Sequence, residues 1–168
     1  MKKLFAIALA LTMLLSLAAC GNSEPTTAPT TNPSNGGTAL TNVGEIYEAM
    51  IAGVDMPEMM ALDSDLMLDL CGIPAENYRQ GVVYICADSL RADEIWVLEA
   101  VSGDAMTALK QQAQARLSQK DAESVTYSPE QNAVVKAAQV IQFGDYLAVI
   151  VSPNANTIAQ QFRTAIAP

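Results

Sequence analysis

Only the part of the chain that follows residue 42 has the composition needed to fold around a core. Residues 21–42 are rich in Thr, Pro, Asn, Ser and Gly and nearly free of charged and large apolar side chains, so they bury too little apolar surface to become ordered. Residues 43–168 instead carry apolar side chains at helical and strand spacing. The sequence therefore predicts one domain over 43–168, and residues 20–42 are expected to form a flexible tether.

The N-terminus has the pattern of an export signal. Lys2 and Lys3 form a short positive segment, and an apolar run follows from Leu4 to Ala19. The run falls short of the roughly 20 apolar residues that cross a bilayer. We therefore expect residues 1–19 to be a signal peptide that is removed.

The sequence Leu17-Ala18-Ala19-Cys20 resembles the lipobox of bacterial lipoproteins. That resemblance implies cleavage before Cys20 and lipid attachment to its thiol, with two acyl chains that suffice for stable anchoring. The resemblance is to lipoproteins of Gram-positive type, which implies the outer face of the cytoplasmic membrane as the location. An ordinary secretory signal that ends near a cysteine is the alternative.

The charge balance excludes several classes of partner. The chain has 9 basic and 18 acidic residues, a formal charge of −9. Binding to nucleic acid needs a basic face that releases counterions, and an anionic lipid surface attracts basic segments. We therefore expect no nucleic-acid partner, membrane attachment through the lipid anchor alone, and an envelope protein or a cell-wall ligand as partner.

The spacing of apolar residues predicts an α+β domain with the order ααββααββα. Helices are expected over 44–52, from about 64 to 71, over 104–120, after Ser128 and over 154–165, and strands over 82–87, 94–101, 139–143 and 146–152. Ser128 and Pro129 have the pattern of a helix start in which Gln131 reaches back to the cap. Gly144 begins a tight hairpin turn. Two hairpins and several helices predict a four-stranded, mainly antiparallel sheet covered by helices.

Short motifs are distributed along the domain. They are Gly72-Ile73 before the first strand, Asp93-Glu94-Ile95 at the start of the second, Tyr127 and Pro129 after the long helix, and Gly144 with Tyr146 in the last hairpin. With the lipobox, their order and spacing resemble the uncharacterised bacterial lipoprotein family called domain of unknown function 4358. The resemblance implies an envelope location and brings no activity or catalytic residue with it.

The sequence contains no catalytic motif. The absence of histidine removes Ser–His and Cys–His pairs and histidine metal sites, and we expect no catalytic residue, cofactor or metal.

Asp63, Asp65 and Asp69 are expected to cap and flank a helix in solvent. Asp93 and Glu94 are adjacent on a strand and point to opposite faces, so we expect a solvated strand end. A hydrolase would need two carboxylates that converge at roughly 5–10 Å.

Sulfur-containing side chains and the single tryptophan have two interpretations each. A disulfide between Cys71 and Cys86 would close a loop of about 15 residues and stabilise by about 3 kcal/mol, but buried thiols are expected because both cysteines lie in apolar segments. Trp96 is expected to anchor the core rather than to hold a ligand. Four methionines are expected in the core, although methionine also lines adaptable grooves; they are Met56, Met59, Met60 and Met67.

These observations favour a binding function over a catalytic one. The anchor, the tether and the absence of catalytic groups predict a lipid-anchored extracytoplasmic binding or interaction module of unknown specificity. A cell-envelope hydrolase that uses carboxylates alone is the alternative.

Overall fold

Five α-helices and five β-strands are formed by residues 38–167, the part of the chain that the computed structural model describes. The helices are α1 (Val43–Ile51), α2 (Ser64–Cys71), α3 (Gly103–Tyr127), α4 (Pro129–Lys136) and α5 (Ala155–Ile166). The strands are β1 (Met59–Ala61), β2 (Tyr78–Cys86), β3 (Glu94–Ala100), β4 (Gln139–Phe143) and β5 (Tyr146–Val151). The predicted signal peptide, Cys20 and the tether up to residue 37 lie outside the described residues.

The strands form one antiparallel sheet in the order β1-β2-β3-β5-β4. The predicted α+β class is confirmed, but the predicted count of four strands is wrong. The strand that sequence reasoning missed is β1, in which Met60 pairs with Ile85 of β2. Three residues contain too few alternating positions to give a strand signal in the sequence.

Helices cover both faces of the sheet. Successive side chains of β3 point to opposite faces, so they pack against different helices. Ile95 and Val97 pack with α1 and α5, whereas Trp96 and Leu98 pack with α2 and α3. Trp96 is fully buried, which confirms it as a core anchor. No helix within residues 38–167 is long and apolar enough to cross a membrane.

Local signals at the ends of elements act as the sequence predicts, with one exception. Asp63 accepts a hydrogen bond from the backbone N of Leu66 at 2.9 Å and begins α2, and Gly72 ends it with a left-handed φ of 68°. Ser128 caps α4, but Gln131 does not reach back to it. The Gln131 Oε1 instead accepts from the backbone N of Ala92 at 2.8 Å, which joins α4 to the loop before β3.

Tertiary contacts extend two elements beyond their predicted bounds. Strand β2 begins at residue 78 rather than 82, and α3 ends at residue 127 rather than 120. The longer helix is held by Asn132 of α4, whose Nδ2 donates to Asp121 Oδ1 at 2.6 Å and to Ser124 Oγ at 3.1 Å. Such contacts between separate helices leave no signal in the local sequence pattern.

The last residues of the predicted tether contact the domain. The backbone N of Leu40 donates to the carbonyl of Ala165 at 2.8 Å, and the side chain of Asn42 caps the first turn of α1. Residues 40–42 are therefore fixed to the fold immediately before its first helix.

Candidate functional site

A cleft of about 660 Å³ lies beside the ends of β2 and β3. Its walls come from β1, the β2–β3 connection, the second half of α3 and the beginning of α4. Apolar contacts are offered by Met60, Ile85 and Leu90, and polar ones by the charged side chains of the β2–β3 connection and α3. A volume of this size lies in the usual range for small-ligand sites, about 300–1,000 Å³.

Asp93 is the most unusual group in the cleft wall. Its side chain is 1% exposed, and its Oδ2 accepts a hydrogen bond from Nε of Arg91 at 3.0 Å. Its Oδ1 is buried and has no hydrogen-bond partner among the described residues. A buried acceptor without a donor lowers the stability of a fold by about 1–3 kcal/mol. Oδ1 of Asp93 can therefore accept one more hydrogen bond than the fold provides.

Glu94 lies behind the cleft wall and is fully buried. It faces α3, on the same side of the sheet as Trp96. Three side chains donate to its carboxylate: Nη2 of Arg116 at 2.9 Å, Nζ of Lys120 at 3.0 Å and Nε1 of Trp96 at 2.8 Å. Glu94 thereby fixes two cations that themselves line the cleft.

Hydrogen bonds and charge keep Glu94 ionised. Burial by itself would raise the pKa of this carboxyl, but the hydrogen bonds and positive charges of Arg116 and Lys120 outweigh it and hold the pKa below the ordinary value of 4.5. An ionised carboxylate accepts hydrogen bonds and has no proton to donate. Glu94 is therefore a structural anion and is unsuited to general-acid chemistry.

The expectation of a solvated strand end at Asp93 and Glu94 is wrong, because both side chains are buried. Their partners were missed although the sequence contains a signal for them. Arg116 and Lys120 continue, at steps of three and four residues, the buried stripe of α3 that runs through Met106, Leu109 and Ala113. Cations on the buried stripe of a helix indicate an acid in the surface against which the helix packs.

Three cations lie together at the cleft although the protein is acidic. Residues 38–167 contain seven Lys and Arg, and three of them, Arg91, Arg116 and Lys120, line the cleft. The same residues contain 17 Asp and Glu, of which only Asp93 and Glu123 line it. With Glu94, which pairs with Arg116 and Lys120, the acids at the cleft equal the cations in number, so the cleft repels a small anion less than the acidic rest of the surface does.

One family model, Domain of unknown function (DUF4358), matches residues 52–152 of this chain. The chain belongs to this family. The match contains every domain motif on which the resemblance rests, from Gly72 to Tyr146, and also the cleft residues Asp93, Arg116 and Lys120. No curated protein and no solved structure matches the chain.

The three acids at the start and along α2 of this DUF4358 domain lie in solvent. Asp63 caps α2, and Asp65 and Asp69 are exposed on the same helix, as the sequence predicts. No group of three or more acids and cysteines suited to a metal ion occurs within residues 38–167.

The methionines divide between the core and the cleft. Met67 is buried in the core of the DUF4358 domain, as expected, and Met56 and Met59 are half-buried. Met60 is 48% exposed and lines the cleft, so the prediction of a core position is wrong for it. Its exposure follows from β1, a strand at the edge of the sheet.

Cys71 and Cys86 are buried free thiols in the structure. The Sγ of Cys71 lies 4.0 Å from Oε1 of Glu94. Burial and, to a smaller extent, the charge of Glu94 raise the pKa of Cys71 to about 12. A thiol with so high a pKa is not a nucleophile near neutral pH, so Cys71 acts as a small core residue.

Proposed function

We propose that this protein is a lipid-anchored binding module outside the cytoplasmic membrane, and that the cleft beside Asp93 is its ligand site. The observation that carries the proposal is the unpaired Oδ1 of Asp93, a buried acceptor in the wall of a cleft. Native domains satisfy nearly all such groups through the protein or ordered water, so an unpaired acceptor in a cleft wall marks a place where a ligand can donate a hydrogen bond. A ligand that donates a hydrogen bond would supply the missing partner.

The sequence supports the envelope location of this proposal. Lys2, Lys3 and the apolar run to Ala19 precede Cys20 as in a lipoprotein signal. The residues between Cys20 and Leu40 would span roughly 25 Å as a flexible chain. A domain on such a tether reaches ligands in the layer next to the membrane while remaining attached to it.

The carboxylate-based hydrolase is the weaker alternative. Of the two adjacent acids only Asp93 lines the cleft. Glu94 is fully buried and its pKa is lowered by Arg116 and Lys120, against the opposing effect of burial, so it offers neither access to a substrate nor a proton. Binding therefore accounts for the geometry of this pair better than hydrolysis does.

Site-specific photocrosslinking in intact cells tests the proposal. One variant of the full-length protein carries a photoreactive residue at Leu90, which is 81% exposed and lines the cleft. The control carries it at Val140, which is 38% exposed on β4, at the sheet edge opposite β1. We expect a reproducible adduct from position 90 that disappears when Asp93→Ala is added, and no such adduct from position 140. Failure of position 90 to capture anything, or identical adducts at both positions, would overturn the proposal.

A further inference from the structure

We infer that the cleft binds the carboxyl end of a peptide, with the terminal carboxylate on Arg91 and the last peptide N–H on Oδ1 of Asp93. The inference rests on the proposed function and names the class of ligand. It follows from two neighbouring groups. Within residues 38–167, the Nη groups of Arg91 have no acceptor, and Oδ1 of Asp93 has no donor.

Arg91 supplies the carboxylate contact. Its Nε is occupied by Asp93 Oδ2 at 3.0 Å, whereas no described residue accepts a hydrogen bond from either of its Nη groups. The side chain is 40% exposed and lines the cleft, so a ligand can reach it. A guanidinium binds a carboxylate through two parallel N–H donors, which gives both strength and orientation.

Asp93 supplies the contact to the peptide group. Its Oδ1 is a buried acceptor without a partner, and a carboxylate accepts strongly from an N–H donor. In the last residue of a peptide, a single Cα separates the amide N–H from the terminal carboxylate. Arg91 and Asp93 are themselves joined by a hydrogen bond, so they present a donor and an acceptor side by side, as this chemical group requires.

The remaining walls of the cleft fit a peptide better than other small anions or sugars. Met60, Ile85 and Leu90 offer apolar contacts for the side chain of the last residue. Among the side chains that the structure describes, which do not include that of Tyr127, none that lines the cleft is aromatic, so they offer no stacking surface for a sugar ring. Inorganic phosphate brings no N–H donor and no apolar part.

The balance of charge in the cleft favours a ligand with one local negative charge over a polyanion. Lys120 and Arg116 also line the cleft and are paired with Glu94. The excess of acids over the rest of the surface opposes polyanions. A ligand with a single terminal carboxylate has no further negative charge for the acidic surface to repel.

Peptide carboxyl ends of this kind have two sources outside the membrane. One is the free end of a cell-wall stem peptide, which contains D-residues, and the other is the C-terminal tail of a protein, which contains L-residues. The recognition chemistry is shared, and the chirality of the last residue distinguishes the two sources.

Calorimetric titration of the full-length protein in detergent tests the inference. The probes are N-acetyl-Gly-Ala-Ala with an L- or a D-alanine at its end, the same two peptides as C-terminal amides, and inorganic phosphate. We expect at least one free acid to bind, its amide to bind at least tenfold more weakly, and phosphate not to compete. Preference for the D-peptide indicates the cell wall as source, and preference for the L-peptide indicates a protein tail.

Matched variants locate the contact. Arg91→Gln should weaken binding of the acid at least tenfold more than it weakens binding of the amide, which a general loss of folding would not do. The control Arg163→Gln, on α5 against the other face of the sheet, should bind like the wild type. Asp93→Asn should weaken both acid and amide because its contact is to the peptide N–H.

The two experiments distinguish failure of the peptide inference from failure of the proposed function. Equal affinity for acid and amide, or full affinity in Arg91→Gln, would overturn the inference. If no peptide binds while the Leu90 probe still captures an adduct in cells, the ligand class is wrong and the cleft remains the binding site. If neither experiment gives a signal, both proposals are wrong.

Discussion

Glu94 holds a negative charge inside the domain because three donors surround its carboxylate. Its partners are two cations of α3, Arg116 and Lys120, and the indole of Trp96. Removal of one member of a buried ion pair leaves the other charges without a partner, which typically costs about 3–5 kcal/mol. The same contacts fix the cations of the cleft, so Glu94 links the stability of the domain to the shape of its binding site.

Glu94→Gln is therefore expected to lower the free energy of unfolding by about 3 kcal/mol, because Arg116 and Lys120 lose their anion. The control is Glu99→Gln on the same strand, whose partner Arg79 is 48% exposed. A pair of that exposure contributes about 1 kcal/mol or less. Urea unfolding of both variants measures the difference, and equal losses would contradict the assigned role of Glu94.

Acid should weaken the domain through the same residue. The folded-state pKa of Glu94 lies below the ordinary value of 4.5, so its contribution to stability is complete above that value and is lost as pH falls through the lower pKa of the folded state. We expect the urea midpoint of the wild type to fall more steeply below pH 4.5 than that of Glu94→Gln. Parallel pH profiles of the two proteins would show that the carboxylate is not the responsible group.

At the scale of elements, one glycine of β2 leaves room for the side chains packed around it. A Cβ at Gly81 would lie 2.8 Å from Cδ2 of Leu98 and 2.9 Å from Cδ2 of Tyr78. Leu98 is fully buried, so it has little room to move away. A side chain at residue 81 would therefore have to displace the side chain of Leu98 or of Tyr78.

Gly81→Ala is expected to destabilise the domain by about 1–3 kcal/mol, the usual cost of overpacking. Gly103→Ala at the first residue of α3 is the control, because no atom lies within 4 Å of its Cβ position, and we expect a neutral or slightly positive effect there. Thermal unfolding of the two variants measures both. A loss at residue 103 as large as that at residue 81 would show that the steric explanation is wrong.

Local patterns made most elements of this fold predictable. The caps Asp63 and Ser128 and the turn at Gly144 act within a few residues of themselves, so the sequence contains all the information that they need. Strand β1 was not predictable in this way, because three residues show no alternation and the strand depends on its pairing with β2. The extra length of α3 depends likewise on Asn132 of α4.

At the scale of the whole molecule, the candidate site is assembled from parts that are distant in the sequence. Met60 comes from an edge strand, Asp93 from the connection just before β3, Arg116 and Lys120 from α3, and Gln131 from α4. Sequence reasoning identified Asp93 and Glu94 as candidates but placed them in solvent, because their burial follows from the packing of α3 on the sheet. The buried stripe of α3 was the one signal that pointed to their partners.

The attachment of this molecule to the membrane is expected to depend on Cys20 alone. Cys20→Ala removes the thiol that would carry the lipid, and two acyl chains are sufficient for stable anchoring. We expect the variant to move from the membrane fraction to the medium, as measured by fractionation and immunoblotting, while Cys71→Ala stays with the membrane. Unchanged fractionation of Cys20→Ala would contradict lipid anchoring at this residue.

The most direct test of the central proposal, that the cleft is where the molecule binds, is hydrogen–deuterium exchange with and without solubilised envelope components. The full-length protein in detergent serves as the starting state. We predict slower exchange in residues 87–93 and at the beginning of α4, with β4 unchanged and with no effect in Asp93→Ala. Slower exchange confined to α2 or β4, or no change in residues 87–93, would contradict the account.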